Sequence, residues 1–446
     1  MRFATPTQRH LVIAAELRPQ DPSPNWALLS RLPSGTDAGR FADAVASTLN
    51  ANQAFTEIFE RDGEGRVVVT ASPVRPPVEV VEYPDLAAVQ AEVARWGDHA
   101  FDLSVAPLYH AEIGVVGSDS YFMFAGAHVL SDGFGFYNLI ADFAGHYADS
   151  GYRSPDTSSP ADTLEPLTRN RFEVVRHFAR IFDGMTALQI DGWDRRDSRG
   201  RIPGGISRCE LPFRDYQAAK ALGASVGARR YAVLLSVLAV TVGCLAGVDT
   251  VVVSTPMSNR RSGLASQTTR GVRVNALPVR CYIGAETVFA DLCRRTEEQI
   301  RGLIDFEQHA FSEFSRTLFP AASMDSTQPS VGFTLYPRPL AAVVGGRTGE
   351  TINVDRRFLQ YPLTVDIEVD EGAATLIVER ADHLPHTDIG ALYTHVLRQV
   401  LDSDARIRLG EITWTSGELA SSVPPVTEFP ARTMAAEFAA AAARHA

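Results

Sequence analysis

A histidine, an aspartate and a glycine stand close together in HVLSDG, residues 128–133, and these residue types suit acid–base chemistry. The apolar run YFMFAGA precedes His128, so the imidazole is expected where a buried strand ends. A neutral imidazole there can accept a proton from an amine or a hydroxyl group. Asp132 could fix the loop by pairing with an arginine, or it could orient the imidazole. Gly133 would allow a backbone geometry or a close approach that a Cβ atom would block, and its N–H could stabilise negative charge on an acyl oxygen.

The HVLSDG pattern alone is also compatible with a satisfied core histidine beside an Asp-Gly turn. A metal site at His128 and Asp132 is a weaker interpretation, because no third ligand is evident. The sequence has no G-x-S-x-G elbow, no Walker motif and no G-x-G-x-x-G after a strand. A histidine base without an obvious protein nucleophile favours direct attack of one bound substrate on another over a covalent enzyme intermediate. Arg260 and Arg261 are expected to be solvated.

Alternating and helical apolar patterns predict the elements that position this motif. In the first half they indicate helices at 40–52 and 86–96, with strands at 66–71, 78–82, 109–116 and 121–127. A loop follows the last of these strands, and the apolar spacing from Phe134 onwards predicts a helix. The motif is thus expected between a buried strand and a helix.

The second half repeats the same kinds of element after a stretch rich in Pro, Ser, Thr and Asp at 150–168, which indicates a linker. The patterns predict helices at 214–226, 231–247, 286–303 and 387–402, with strands at 207–211, 250–254, 272–282, 330–336, 363–369 and 374–380. Mixed strands and helices in both halves predict two α/β lobes. We expect boundaries at 1–165 and 166–420, with residues 421–446 as a linker and a helix.

Composition excludes several classes of protein. The 446 residues carry a net charge of −11, which argues against a nucleic-acid partner. The four cysteines form no C-x-x-C pair, so we expect reduced thiols and no structural zinc. The N-terminus lacks the pattern of a signal peptide, and the apolar run 231–247 is better explained as a buried core helix than as a membrane span. These features predict a cytoplasmic protein.

Five segments carry a family resemblance when they are taken in order. They are ATPTQRHLVIAAEL (4–17), FDLSVAPLYHAEI (101–113), AHVLSDG (127–133), VVVSTPMSNRRS (251–262) and RGVRVNALPVR (270–280). They resemble the opening segment and the F-D-L…P-L, H-H-x-x-x-D-G, G-x-P…N-R and G-x-x-x-N-x-x-P-x-R motifs of condensation domains from nonribosomal peptide synthetases. The resemblance covers nearly the whole chain.

This resemblance implies a fold of α/β (α+β) class, with two chloramphenicol acetyltransferase-like lobes in a V-shaped pseudo-dimer around a central tunnel. It implies an amide-forming acyltransferase that acts on a thioester. By analogy His128 positions or deprotonates the acceptor amine, Asp132 holds the loop through a salt bridge for which Arg280 is the expected partner, and Gly133 offers its N–H. Asn275 would belong to the region that bridges the lobes.

The same resemblance implies that the chain binds no cofactor or metal directly. Donor and acceptor peptidyl carrier proteins would instead present substrates on phosphopantetheine arms. The tail PARTMAAEFAAAAARHA resembles the linker and first helix that lead into an adenylation domain, which would be a further partner. We expect a monomer that binds neither nucleic acid nor membrane. Because the sequence starts at Met1, the domain is expected to open its polypeptide, with the donor arriving in trans on a carrier protein or as an acyl-CoA.

One departure from the family pattern is Ala127, which stands where the motif has its first histidine. His128 matches the second histidine, the chemically important one by analogy, so activity is expected. Two alternatives remain open at this point. One is a stand-alone, ester-forming acyltransferase of the polyketide-associated type, and the other is a silent recruitment domain of the same fold that binds carrier or partner proteins.

Overall fold

Buried apolar side chains separate into two main clusters, one for each half of the chain. One large cluster includes residues from Val174 to Ile412, and another is built mainly from residues between Ala4 and Phe143. The structure is a computed structural model that describes residues 2–163, 167, 169–260, 267–322 and 328–413. Each cluster lies against its own β-sheet, so the chain forms two lobes of mixed α/β structure, as predicted.

Ten helices and seventeen strands are numbered here in chain order over the described residues. The helices are α1 (Pro6–Leu17), α2 (Ala38–Ala51), α3 (Leu86–Gly97), α4 (Gly133–Ala148), α5 (Arg171–Ile181), α6 (Phe213–Val226), α7 (Arg230–Ala246), α8 (Phe289–Leu303), α9 (Ser315–Leu318) and α10 (Ile389–Asp402). The strands are β1 (Arg2–Phe3), β2 (Asn25–Arg31), β3 (Glu57–Arg61), β4 (Val67–Ala71), β5 (Glu79–Glu82), β6 (Tyr109–Val116), β7 (Asp119–Ala127), β8 (Ile202–Glu210), β9 (Thr250–Met257), β10 (Asn275–Tyr282), β11 (Val331–Tyr336), β12 (Val343–Val344), β13 (Arg347–Thr348), β14 (Glu350–Ile352), β15 (Phe358–Leu359), β16 (Leu363–Asp370) and β17 (Ala373–Ala381).

The first lobe is built on a five-stranded sheet in the order β14-β2-β7-β6-β5. Strand β7 is apolar on both faces because helices cover both sides of it. Phe122 and Phe124 pack in the cluster with α2 and α4, whereas Tyr121 and Met123 pack against α3. This double burial explains the continuous apolar run before His128. The HVLSDG motif therefore follows a strand in the middle of its sheet.

The second lobe is built on a seven-stranded sheet in the order β10-β9-β11-β16-β17-β8-β15. Helices α6, α7, α8 and α10 cover one face, and residues Ala232 to Cys244 of α7 are buried throughout. The predicted core helix at 231–247 is thus confirmed. Considered singly, none of the described helices is long and apolar enough to cross a membrane, although α6 and α7 would qualify together as a pair bent by 103°.

The two lobes exchange chain segments. Strand β14, which lies late in the sequence, pairs with β2 in the first sheet. Ala342 and Val344 lie in the apolar cluster of the first lobe. A boundary between residues 165 and 166 therefore does not separate all of the packing, because segments that follow it in sequence pack in the first lobe. The boundary stays a prediction.

Most predicted elements are confirmed within a few residues, including β6 at Tyr109–Val116 and α6 at Phe213–Val226. Several elements were not predicted: α1, α5, β2, β3 and the short strands β12 to β15. For α1 a sequence signal existed, because Thr5 and Gln8 form a capping box with Pro6 at the first helical position. The linker expected at 150–168 contains a 3-10 turn at Pro160–Thr163. The tail helix predicted within 421–446 lies outside the described residues.

Candidate active site

His128 directly follows β7 and packs against the first lobe's own aromatic side chains. Its ring lies 5.2 Å from the indole of Trp26, at an interplanar angle of 59°. The residue keeps part of its surface exposed, while Nδ1 is buried and receives no hydrogen bond of normal geometry from the described residues. This leaves Nε2 as the nitrogen on the accessible side of the ring.

Burial lowers the pKa of His128, and the charge of Arg356 adds to this lowering against the opposing influence of Asp132. The imidazole is therefore neutral at pH 7, because burial disfavours the charged form. A neutral imidazole with an accessible nitrogen can accept a proton from a bound nucleophile.

Asp132 caps helix α4 and also accepts hydrogen bonds from residues of the second lobe. Its Oδ1 accepts hydrogen bonds from the N–H of Gly135 (2.7 Å) and from Nη2 of Arg260 (2.6 Å). Its Oδ2 accepts from the N–H groups of Arg273 (2.7 Å) and Val274 (2.8 Å). The carboxylate is thus fully engaged across the junction of the lobes.

The groups around Asp132 determine whether its carboxyl group is charged. Burial alone would raise its pKa, but the charge of Arg260 and the backbone N–H donors outweigh burial and lower it. Asp132 is therefore a buried, paired carboxylate that fixes the loop after His128. The alternative that it orients the imidazole receives no support, since none of its hydrogen bonds goes to His128.

The expectation that Arg280 pairs with Asp132 is wrong. Arg280 lies within β10, and its Nη1 donates to the carbonyl oxygens of Ile181 and Asp183, each at 3.0 Å. Val274, which does contact Asp132, is six residues earlier, and an extended strand covers about 20 Å over that interval. The partner is Arg260, which was expected to be solvated but is only 6% exposed. Arg261 lies outside the described residues.

Gly133 is the first residue of α4, and the fold does not require a glycine there. A Cβ atom would lie 3.6 Å from Trp26 and 3.7 Å from Tyr336, which is ordinary contact. The close approach expected at Gly133 is found at Gly135, where a Cβ would collide with the carbonyl oxygen of Arg270. The N–H of Gly133 has no acceptor among the described residues, and the residue is partly exposed. It can therefore donate to an oxygen in the space beside His128.

Asn275 directly follows the residues that contact Asp132, but its own amide serves the second lobe. Its Nδ2 donates to the carbonyl oxygen of Glu307 at 3.0 Å and also to that of His309. Asn275 is 5% exposed and thus anchors the loop at 307–309. Asn275 therefore supports the bridging segment through hydrogen bonds within the second lobe.

A second buried ion pair, which the sequence did not predict, also joins the lobes. Nε and Nη2 of Arg270 donate to the two carboxylate oxygens of Asp142, each at 2.8 Å. Both side chains are almost fully buried, and the hydroxyl of Tyr152 donates to the same carboxylate at 2.9 Å. Two aspartates, one at the cap and one in the body of α4, therefore join the first lobe to Arg260 and to residues 270–274.

The side of His128 away from its own lobe faces the second lobe. Tyr336 lies against Gly133, and Arg356 is close enough to influence the pKa of His128. Two open pockets lie elsewhere on the molecule. One, of about 680 Å³, includes Phe3 and Arg9, and the other, of about 440 Å³, includes His177 and Arg280. Neither includes His128, so the candidate site is distinct from both.

Groups that could hold a metal ion were sought in the part of the chain that the structure describes. No three side chains among its His, Cys, Asp and Glu residues are placed to do so. The groups that the described residues offer at the site are the imidazole of His128, which can transfer a proton or position a nucleophile, and the backbone N–H of Gly133, which can donate a hydrogen bond.

Comparison with known proteins identifies one family model and several similar proteins. The Condensation domain family model matches residues 1–376. A dimodular nonribosomal peptide synthase of Bacillus subtilis (strain 168) is 24% identical over 333 residues, which covers 70% of this chain and 14% of that protein. Bacitracin synthase 3 of Bacillus licheniformis is 22% identical over 435 residues, covering 92% of this chain and 7% of that protein. The chain thus spans less than a sixth of the length of these relatives.

Solved structures of low sequence identity share the fold. The first condensation domain of the calcium-dependent antibiotic synthetase, in complex with a substrate analogue, superposes with a TM-score of 0.76 at 15% identity, covering 93% of this chain and 99% of that one. The complex of the X-domain and OxyB from teicoplanin biosynthesis gives 0.76 at 17% identity, with 93% and 96% covered. These matches confirm the predicted two-lobe fold of the chloramphenicol acetyltransferase type.

Proposed function

The chain belongs to the condensation domain family, and from this premise we propose that it forms an amide bond between an acyl thioester and an aminoacyl acceptor. The donor would be held on a carrier protein or coenzyme A, and the acceptor on a carrier protein. The observation that carries the proposal is the neutral imidazole of His128, whose accessible side faces the junction of the two lobes.

In this reaction the acceptor amine attacks the carbonyl carbon of the donor thioester. His128 Nε2 positions the amine and takes the proton that the nitrogen loses as the C–N bond forms. The N–H of Gly133 donates to the carbonyl oxygen while that oxygen carries negative charge. The C–S bond then breaks, and the proton passes to the departing thiolate. No covalent enzyme intermediate is required.

The protein's contribution to this chemistry is mainly alignment. Two tethered reactants that meet at one imidazole react as if they were at high effective concentration. The four hydrogen bonds of Asp132 support this role, because they fix the backbone between His128 and Gly133 to the second lobe.

The partners follow from the same proposal. Two peptidyl carrier proteins would insert phosphopantetheine arms into a central tunnel of the V-shaped molecule from opposite mouths, and an adenylation domain would follow the chain. The multidomain peptide synthetases that the chain resembles support this arrangement. We propose a monomeric, cytoplasmic protein that works on carrier-bound substrates.

Intact-mass analysis of carrier proteins loaded with candidate donors and acceptors tests the proposal. Wild type should transfer the acyl group to the acceptor carrier, and His128→Ala should reduce the single-turnover rate by at least about a hundredfold, the usual size of a proton-transfer contribution. His395→Ala, in α10 of the second lobe, is the matched control and should leave the rate unchanged.

Other outcomes would overturn the proposal. Full activity of His128→Ala would remove the imidazole from the reaction. Transfer only to hydroxyacyl acceptors would identify an ester-forming enzyme. Binding of carrier proteins with no transfer from any donor would identify a recruitment domain, the reading that Ala127 in place of the first motif histidine would then explain.

A further inference from the structure

The seven-stranded sheet of the second lobe has a polar face that is turned toward the first lobe. Residues Leu363, Val365 and Ile367 of β16 point into the apolar core, so the alternating residues point the other way. The same alternation holds in the neighbouring strands. The polar face carries Thr334, Tyr336, Thr364, Asp366, Glu368 and Glu379.

This polar face adjoins the space beside His128. Tyr336 lies against Gly133, and Arg356 influences the pKa values of both His128 and Asp366. Arg356 also donates to the carbonyl oxygen of Ser23 in the first lobe. Tyr336 and Asp366 keep part of their surface exposed although they lie between the lobes. Arg356 therefore lies near both His128 and Asp366, and the polar face extends from Tyr336 beside Gly133 to Asp366.

Two acceptor atoms on this face lack the donors that buried oxygens normally have. Oδ1 of Asp366 and Oγ1 of Thr364 are both buried, and no described residue forms a hydrogen bond with either. Thr364 is only 8% exposed. Buried polar groups in folded proteins are nearly always satisfied, so two adjacent exceptions on one face call for a donor from outside the part of the chain that the structure describes.

The charges on the polar face show what kind of donor fits. Burial and the charge of Glu379 together raise the pKa of Asp366 to about 8, against the opposing effects of hydrogen bonding by Thr334 and of the charge of Arg356. Glu368 and Glu379 add negative charge on this side. Arg356 is shared between Ser23 and Glu379, which it faces at 3.7 Å, and Arg208 interacts with four carboxyl groups, those of Asp355, Asp366, Glu368 and Glu379. Carboxylates thus outnumber the cations near them, and a cation from outside would relieve the burial of Asp366.

We propose that Asp366 and Thr364 form a subsite for a basic group, a primary amine or a guanidinium, on the side chain of one of the two substrates. This inference rests on the proposed function and specifies its substrate class. Thr334, the register partner of Asp366, is two residues from Tyr336, a rise of about 7 Å along the strand. A rise of about 7 Å is comparable to the reach of a lysine side chain, so a substrate whose backbone lies beside Tyr336 could place a basic group at Asp366. The reacting amine or carbonyl remains at His128.

Binding of unreactive probes tests the subsite without catalysis. Pantetheine amides of lysine and norleucine represent the acceptor, and their Nα-acetyl derivatives represent the donor. We expect calorimetry on His128→Ala at pH 7 to give at least tenfold tighter binding of the lysine probe in one of these two pairs. Binding should release close to one proton, because Asp366 is mostly protonated when the site is empty.

Asp366→Asn should abolish the preference for lysine and the proton release. This substitution keeps the shape of the neutral carboxyl group, so the fold is expected to persist, and circular dichroism checks this. Asp370→Asn, on the exposed end of the same strand, is the matched control and should change neither quantity. Equal binding of lysine and norleucine probes in both pairs, or a preference that survives Asp366→Asn, would overturn the subsite.

Single-turnover condensation separates this inference from the proposed function. Lysine-bearing substrates should react at least tenfold faster than norleucine-bearing ones at the position that the probes identify, and Asp366→Asn should equalise the two. If neutral pairs condense with dependence on His128 but no preference for lysine appears, the subsite fails and the proposed function stands. If lysine probes bind selectively but no pair condenses, the proposed function fails and the subsite stands as a binding site.

Discussion

The carboxylate of Asp132 accepts four hydrogen bonds, and each comes from a group other than the imidazole of His128. A carboxylate offers about four lone-pair positions, so none remains for the imidazole. At the scale of single residues the motif therefore separates two tasks. Asp132 fastens the loop, and His128 stays available to a substrate.

The protonation of His128 gives the first prediction. Burial lowers its pKa below the ordinary value of 6.5, so the ring should stay neutral as the pH falls through 6.5. NMR titration of the ring Cε1–H signal, identified by its loss in His128→Ala, measures this directly. A midpoint at or above 6.5 would contradict the burial seen here and weaken the case for a neutral proton acceptor.

The pairing of Arg260 gives a second prediction. Arg260→Met should lower the free energy of unfolding by about 3–5 kcal/mol, because it leaves the buried carboxylate of Asp132 without its cation. Urea unfolding measures this loss. Arg280→Met is the matched control and should cost less, since the hydrogen bonds of the Arg280 side chain among the described residues go to two neutral carbonyl oxygens. A larger loss for Arg280→Met would show that the pair is misassigned.

At the scale of elements, the first turn of α4 contains two glycines with different surroundings. Gly133 lies beside the proposed reaction site, and Gly135 lies where the second lobe packs against the helix. Gly133 faces the interlobe space beside Trp26 and Tyr336, and Gly135 touches the segment that crosses from the second lobe. The helix begins at Asp132 because its carboxylate caps the N–H of Gly135. One side of this capped turn thus borders the proposed site, and the opposite side packs against the second lobe.

Substitution of each glycine by alanine should affect two different quantities, the reaction rate for Gly133 and the stability for Gly135. Gly133→Ala should leave stability nearly unchanged, because the added methyl group meets only ordinary contacts, but it should slow condensation by narrowing the space beside His128. Gly135→Ala should lower the free energy of unfolding by about 1–3 kcal/mol through collision with the carbonyl oxygen of Arg270. Urea unfolding and single-turnover rates for both variants test this. The reverse order of stabilities would refute the assignment.

At the scale of the whole molecule, two apolar clusters are held together largely by polar contacts. The pairs Arg260–Asp132 and Arg270–Asp142 join residues 260–274 to α4, and β14 completes the first sheet. The interlobe space at His128 exists only because this junction is fixed. Alignment of two substrates consequently depends on contacts remote from the reacting atoms.

Calorimetric unfolding should reveal this coupling. We expect wild type to unfold in one transition, because the two ion pairs and the exchanged segments connect the clusters. The double variant Arg260→Met, Arg270→Met should unfold in two transitions, as each lobe has its own apolar cluster. Two transitions in wild type, or one in the double variant, would show that the ion pairs do not couple the lobes.

Periodicity and local motifs were enough to predict most of the elements around the site. The run before His128 predicted β7, and the spacing from Phe134 predicted α4, because apolar patterns report which faces are buried. The same reasoning did not detect β2, since Asn25–Arg31 is buried on both faces and has no clean alternation. It also missed β12 to β15, whose two or three residues are too few to show a period.

The sequence by itself determined the two-lobe fold class, the family and the position of His128 between a strand and a helix, because these depend on patterns that are local in the chain. Only the tertiary structure decided that Asp132 pairs with Arg260 and not Arg280, that Gly135 is the glycine required by packing, and that Arg270 pairs with Asp142. Each of these facts joins residues more than 100 positions apart. Such contacts depend on how the two lobes pack against each other, and the spacing of residues along the chain does not predict that packing.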